Sequence, residues 1–200
     1  MSGTRILGTA ALALGVAAPF AGAPTVAGAI NMPALAHMVA TRQDHVPAVE
    51  VARWIRDRKP GLRLIDVRSP EEFAQFALPT AENLPIESIP DARFSDDEIV
   101  VLYSEGGAHA AQAWVFLKAG GVRNVVFIAG GLADWFDEVI HPLLPAEPSA
   151  GEAGRIAELV ELSAYFGGTP REAVPGEAAT VAAPESGVSA LIANARRRGC

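Results

Sequence analysis

A single cysteine, Cys200 at the last position, is all the thiol this 200-residue chain has. One thiol excludes an intramolecular disulfide framework and any zinc site built on cysteine, which leaves Cys200 either idle or used between molecules. Basic charge is scarce as well: 16 Lys and Arg face 23 Asp and Glu, for a formal net charge of −7 and a pI near 5.1. That balance excludes nucleic acid as the expected partner, because phosphate binding needs a basic face; the one basic run is Arg196 to Arg198. His37, His45 and His141 show no metal-ligand spacing, and no cofactor motif is present, so neither a metal nor a cofactor is expected. Charge of either sign is missing altogether from residues 6–41.

What that uncharged stretch does have is a dense Leu/Ala/Val run over residues 6–18, behind Arg5 and the N-terminal amine. This is the pattern of a secretory signal or an N-terminal anchor. Ala27-Gly28-Ala29 supplies the small-x-small spacing of a cleavage site, whereas Ala21-Gly22-Ala23 is followed by Pro24. The uncharged length also accommodates a spanning helix of about 20 residues, with Pro19 and Pro24 as interruptions. Residues 1–43 are therefore expected to be a signal peptide or membrane anchor with a linker, able to associate with a membrane through residues 6–30. The expected location is periplasmic or otherwise extracytoplasmic, with the inner membrane as the anchoring surface.

From Asp44 the composition becomes that of one folded domain. Pro47 fits the first turn of a helix reaching about Arg58, with Val51, Trp54 and Ile55 on its apolar side and Pro60-Gly61 as its stop. Leu62 to Val67 reads as a buried strand that ends in the polar pair Asp66 and Arg68. Ser69 caps a short helix opened by Pro70, with Glu71 and Glu72 in its first turn. Residues 78–90 carry three prolines and read as an irregular connection with a short extended piece.

Val100 to Tyr103 is a second strand, followed by a small Gly-containing loop and a helix over residues 111–119 that Gly120-Gly121 ends. Asn124 to Ile128 is a further strand, after which Gly130-Gly131 leads into a short helix holding Trp135 and Phe136. Alternating strands and helices imply an α/β domain over residues 44–141, with a central, mostly parallel sheet and helices on both faces. Residues 142–200 are expected to be an extension: a helix over 152–166, a flexible Gly/Pro/Ala/Thr-rich linker over 167–184, and a second amphipathic helix over 186–198.

The loop Ser104-Glu105-Gly106-Gly107-Ala108-His109-Ala110 joins a strand to a helix start. Such a loop gathers backbone N–H groups at the positive end of a helix dipole, a cradle for an anion or a nucleophile. Ser104 sits where the nucleophile would sit. A serine nucleophile with His109 as base would need a third group to orient the base and oxyanion donors beside it; the pattern supplies a loop and nothing more. A structural serine is the plainer reading. Asp66 is expected to accept loop N–H groups at its strand end, and Gly106, Gly107, Gly130 and Gly131 are expected to be turn residues.

Three blocks, L-I-D-V-R-S-P-E-E-F (64–73), I-V-V-L-Y-S-E-G-G-A-H-A (99–110) and G-V-R-N-V-V-F-I-A-G-G-L-A-D-W (121–135), resemble the rhodanese family in order and spacing. The resemblance implies a three-layer rhodanese-like domain. It also implies what the loop does in active members, where a cysteine at its first position carries sulfane sulfur as a persulfide. Here Ser104 holds that position. A hydroxyl offers neither a thiolate near neutral pH nor stable S–S bonding. His109 and Ala110 stand where the family commonly has Arg and Ser, and Glu105 adds negative charge to a loop suited to anions. The related cysteine phosphatases are excluded on the same grounds.

Two functions remain open from sequence. One is an exported or anchored module, inactive as a sulfurtransferase at the loop, that binds a protein partner or a small anion through Asp66, Arg68, Ser104 and His109. The other is a sulfur carrier or transferase in which Cys200, on a mobile arm beside three arginines, takes up the persulfide.

Overall fold

The computed structural model describes residues 31–173. Its centre is a five-stranded, all-parallel sheet built from β1 (His45–Val46), β2 (Leu62–Asp66), β3 (Glu82–Asn83), β4 (Ile99–Tyr103) and β5 (Val125–Ile128). The strand order is β1-β5-β4-β2-β3. Every residue of β4 and β5 is buried, which is why these strands read as unbroken apolar runs and not as alternations. Each edge strand has two residues, so little unpaired edge is exposed to another chain.

The pleat sorts the core into two clusters. On one face Leu64, Val101, Tyr103, Val126 and Ile128 meet α2 (Ala48–Arg56), a helical segment continuing from α5, and α6. Here α5 is Gly131–Asp134, which widens into a π-helical turn over Trp135–Ile140, and α6 is Ala153–Tyr165. On the other face Ile65, Val100, Leu102, Val125 and Phe127 meet α4 (Ala108–Ala119) and the 3-10 helix Ile86–Asp91. The expected α/β domain with a parallel sheet covered on both sides is thus the observed one.

Local signals set the element ends. Pro47 stands as the N-cap of α2, one position before the first turn expected for it, and the helix ends at Arg56, two residues short of the expected Arg58. The short helix α3 (Pro70–Gln75) carries a capping box in which Ser69 accepts from Glu72 N–H and Glu72 accepts from Ser69 N–H.

Two segments differ from expectation. Residues 32–40 were expected to be part of a leader and linker, yet Met32–Ala40 form a helix, α1, capped by the Asn31 side chain on Ala34 N–H at 3.0 Å. Leu35 and Met38 anchor it against the α4-side core. The linker expected from residue 167 begins with ordered pairing: β7 (Arg171–Glu172) runs parallel to β6 (Leu143–Leu144), and Thr169 N–H donates to Ile140 O at 2.9 Å. Backbone hydrogen bonds fix this return, so side-chain composition does not announce it. The leader core 6–30, the later linker, the helix expected over 186–198 and Cys200 lie outside the described residues.

Glu138 in the π-helical turn points a carboxylate at the first N–H groups of α2, those of Ala48 and Val49. Its Oε2 is buried with no hydrogen-bond partner among the described residues. Burial first, and then the nearby Asp134 charge, push its pKa up from 4.5 to about 7. A carboxyl raised on folding favours the folded state below its unfolded pKa and loses that contribution as pH climbs to the folded value. We predict that Glu138→Gln removes this decline between pH 4.5 and 7 and leaves the variant more stable than wild type at pH 8, by about 1–2 kcal/mol after allowance for solvent screening. Urea midpoints at pH 5 and pH 8 test this; an equal difference between the two proteins at both values would refute it.

Candidate active-site loop

The loop that leaves β4 is shaped by two glycines. Gly107, with φ of +82°, is the N-cap of α4, and a Cβ there would collide with the carbonyl oxygen of Ala129. Gly131 has φ of +62°, and a Cβ there would strike Ser104 O. Both positions are left-handed and crowded by backbone, so each requires glycine. The close approach allows Leu132 N–H to donate to Ser104 O at 2.9 Å and Ala133 N–H to Glu105 O at 3.1 Å. Asp134 Oδ2 accepts from Gly130 N–H at 2.9 Å and steadies the facing turn.

With their carbonyls tied back, the loop residues present N–H groups. None of the backbone N–H groups of residues 105–109 donates to an acceptor among the described residues. They stand at the N-terminus of the 12-residue α4, where the helix dipole favours negative charge. Ser104 is 2% exposed, and its Oγ accepts from Ala110 N–H at 3.4 Å. The hydroxyl therefore serves to close the loop from within.

Arg68 lies beside the loop, but most of its donors are already engaged. Its Nε and Nη2 fork onto Asp66 at 3.0 and 2.6 Å, and Nη2 also donates to Phe76 O at 2.6 Å. Nη1 reaches Glu105 Oε2 at 3.3 Å. The Asp66 hydrogen bond is the main reason the guanidinium is held above its ordinary pKa. Asp66, wholly buried, accepts from Arg68 N–H at 2.9 Å and from the guanidinium. Asp66 thus accepts one loop N–H, that of Arg68, while the Arg68 guanidinium, folding back, occupies both carboxylate oxygens. Tyr103 below them is buried, which pushes its phenol pKa up, and its hydroxyl accepts from Leu78 N–H at 3.2 Å.

His109 is exposed on the first turn of α4. No hydrogen bond among the described residues joins it to Ser104. The Ser–His pair weighed from sequence is therefore not assembled. Of the four binding candidates, the structure brings Asp66, Arg68 and Ser104 around one loop and leaves His109 at its outer edge. Two contributors were not foreseen. Phe76 supplies a backbone carbonyl to Arg68, and its ring meets that of Phe136 at 5.0 Å, both rings being partly exposed. Phe136 follows the G-G-L-A-D-W block directly, the one sequence signal that could have placed it here.

This arrangement has known counterparts. A family model described as a rhodanese-like domain matches residues 47–138. A sulfurtransferase of Allochromatium vinosum is 39% identical over 75 residues, which is 36% of this chain and 69% of that protein. A tRNA uridine(34) hydroxylase of Xanthomonas euvesicatoria is 30% identical over 112 residues, 48% of this chain and 45% of that protein, so under half of the hydroxylase's length is represented. The crystal structure of a rhodanese-like domain protein from Staphylococcus aureus aligns with 31% identity and a TM-score of 0.43, over 48% of this chain and 93% of that one. With the three sequence blocks, the parallel sheet and the strand–loop–helix at Ser104 in place, the chain belongs to the rhodanese-like family.

Proposed function

We propose that this rhodanese-like domain binds at its loop and does not transfer sulfur there, and that it works outside the cytoplasm as a module for a small anion or an anionic group on a partner protein. One observation carries this reading. The residue at the head of the N–H cradle is Ser104, buried and hydrogen-bonded into the loop itself. Sulfane-sulfur transfer needs a thiolate that attacks, holds the sulfur by an S–S bond and releases it. A closed-in hydroxyl can do none of these.

The surrounding charge supports binding over turnover. Arg68 is neutralised by Asp66 and touched by Glu105, so it has little left to offer an incoming substrate. The cradle's attraction then comes from backbone N–H groups and the dipole of α4, which suits a singly or weakly charged anion. The uncharged stretch 6–30, ahead of a folded domain, supports export or anchoring.

The decisive assay is sulfur transfer from thiosulfate to cyanide by the full chain and by Cys200→Ser. The expected result is no turnover by Cys200→Ser; activity that survives this substitution would place a working sulfur site at the loop and end the proposal. Activity present in the wild type and lost in Cys200→Ser would assign the chemistry to the C-terminal thiol.

Two substitutions probe the cradle. In a Cys200→Ser background, Ser104→Cys is expected to accept one sulfur atom from thiosulfate, whose S–S bond breaks to release sulfite as the persulfide forms; intact mass reads the gain. An unchanged mass with the fold retained would mean that more than the nucleophile has been lost. Glu105→Gln removes the exposed carboxylate beside the cradle, and at about 1 kcal/mol of relieved repulsion it should tighten thiosulfate or sulfate binding roughly fivefold. Isothermal titration at low salt measures it.

A further inference from the structure

The active-site loop leaves the C-terminal end of β4. At the other end of that strand, beyond its five residues and so roughly 16 Å along it, the segments 89–96 and 116–123 face each other across a groove of about 420 Å³. That volume lies in the range of small-molecule sites. Buried Ile89 and Leu117 line it on the core side, and Pro90, Phe94 and the half-exposed Phe116 add apolar wall. The walls are held by their own hydrogen bonds. α4 ends in a Schellman turn, with Val122 N–H donating to Leu117 O at 2.9 Å, Gly121 N–H to Lys118 O at 3.1 Å and Gly121 at φ of +90°. These bonds engage carbonyls at the helix end, whose partial negative charge would otherwise repel an anion. Asn124 Nδ2 donates to Asp96 O at 2.7 Å and ties the two segments together.

Charge indicates what the groove takes. Arg93 and Arg123 line it, against one lining carboxylate, Asp96, which Arg123 meets at 3.3 Å. The exposed Asp91 and Asp97 adjoin these segments in sequence but do not line the groove. Arg93 has no carboxylate within ion-pair distance among the described residues, and its Nη1 donates to Ala92 O at 2.8 Å. Lys118 Nζ, donating to Arg123 O at 2.5 Å, brings a further positive charge to the turn. In a chain of net charge −7, a guanidinium left without a carboxylate beside apolar walls suits an anion supplied from outside. We propose that this groove is a binding site, separate from the loop, for a small organic anion. The ligand's carboxylate or sulfonate meets Arg93 and Arg123, and its apolar or aromatic body lies against Pro90, Phe116 and Leu117. The groove thus differs from the loop in kind: side-chain charge and apolar contact select its ligand, where the loop offers backbone N–H groups.

The test titrates the full chain with 8-anilinonaphthalene-1-sulfonate, an aryl sulfonate whose emission rises in an apolar site. A saturable rise with one probe bound per chain is expected. Arg93→Gln with Arg123→Gln should raise the Kd about tenfold, with thermal unfolding unchanged because both side chains are exposed and the Arg123–Asp96 pair is a surface one. N-phenyl-1-naphthylamine, the same ring system without the sulfonate, should bind about tenfold more weakly than the probe. Amide resonances of residues 89–96 and 116–123 should shift on binding, while those of 104–110 stay in place. Shifts confined to 104–110 would give the anion to the loop, and shifts confined to 6–30 would give it to the apolar N-terminal stretch; either overturns the proposal. Equal binding of the uncharged amine, a Kd unmoved by the paired arginine substitution, or the absence of a saturable rise would overturn it as well.

Discussion

Two backbone hydrogen bonds, Leu132 N–H to Ser104 O and Ala133 N–H to Glu105 O, decide what the loop can be. They turn the loop's acceptors toward the Gly130–Gly131 turn and leave its donors for the interior of the bend. Everything else follows from the room they need. Gly107 and Gly131 must lack side chains, β4 and β5 must sit side by side in register, and α4 must start where its dipole reinforces the same N–H groups. The cradle is thus set chiefly by the backbone, with the Ser104 hydroxyl closing it from within.

The Asp66–Arg68 pair plays a second part. Its members have 0% and 6% of their side chains exposed, so removal of one would leave the other as a buried uncompensated charge, at a cost of about 3–5 kcal/mol. Such a pair holds the C-terminal ends of β2 and β4 together with the end of α3, through Phe76 O. It fixes the wall of the loop; with Asp66 against the guanidinium, it contributes little net charge to the mouth.

Much of this was legible in the residues because it is local. The capping box at Ser69 and Glu72, the buried runs of β2, β4 and β5 and the Gly-containing turns each write their geometry within a few positions. Arg68 was less legible, since its partners include a backbone carbonyl at Phe76 and a carboxylate at Glu105, 37 positions away. α1 was hidden for another reason: its uncharged composition continues that of the stretch before it, and only Leu35 and Met38, by packing, separate a helix of the domain from a leader. β7 escaped because two residues paired through main-chain groups leave no pattern in side chains.

α6 changes where the domain can be said to end. The family model stops at residue 138, yet Trp135 inside that boundary is covered edge-on by Phe166 beyond it, at 5.0 Å. Leu162 belongs to the core cluster, and Glu158 clasps Arg53 of α2 with two hydrogen bonds of 2.8 and 2.9 Å. A chain cut at the family boundary would present an indole and the apolar side of α2 to water. The packed core of this protein therefore extends past its family match to take in α6, so that a stretch defined by similarity and one defined by burial end at different residues.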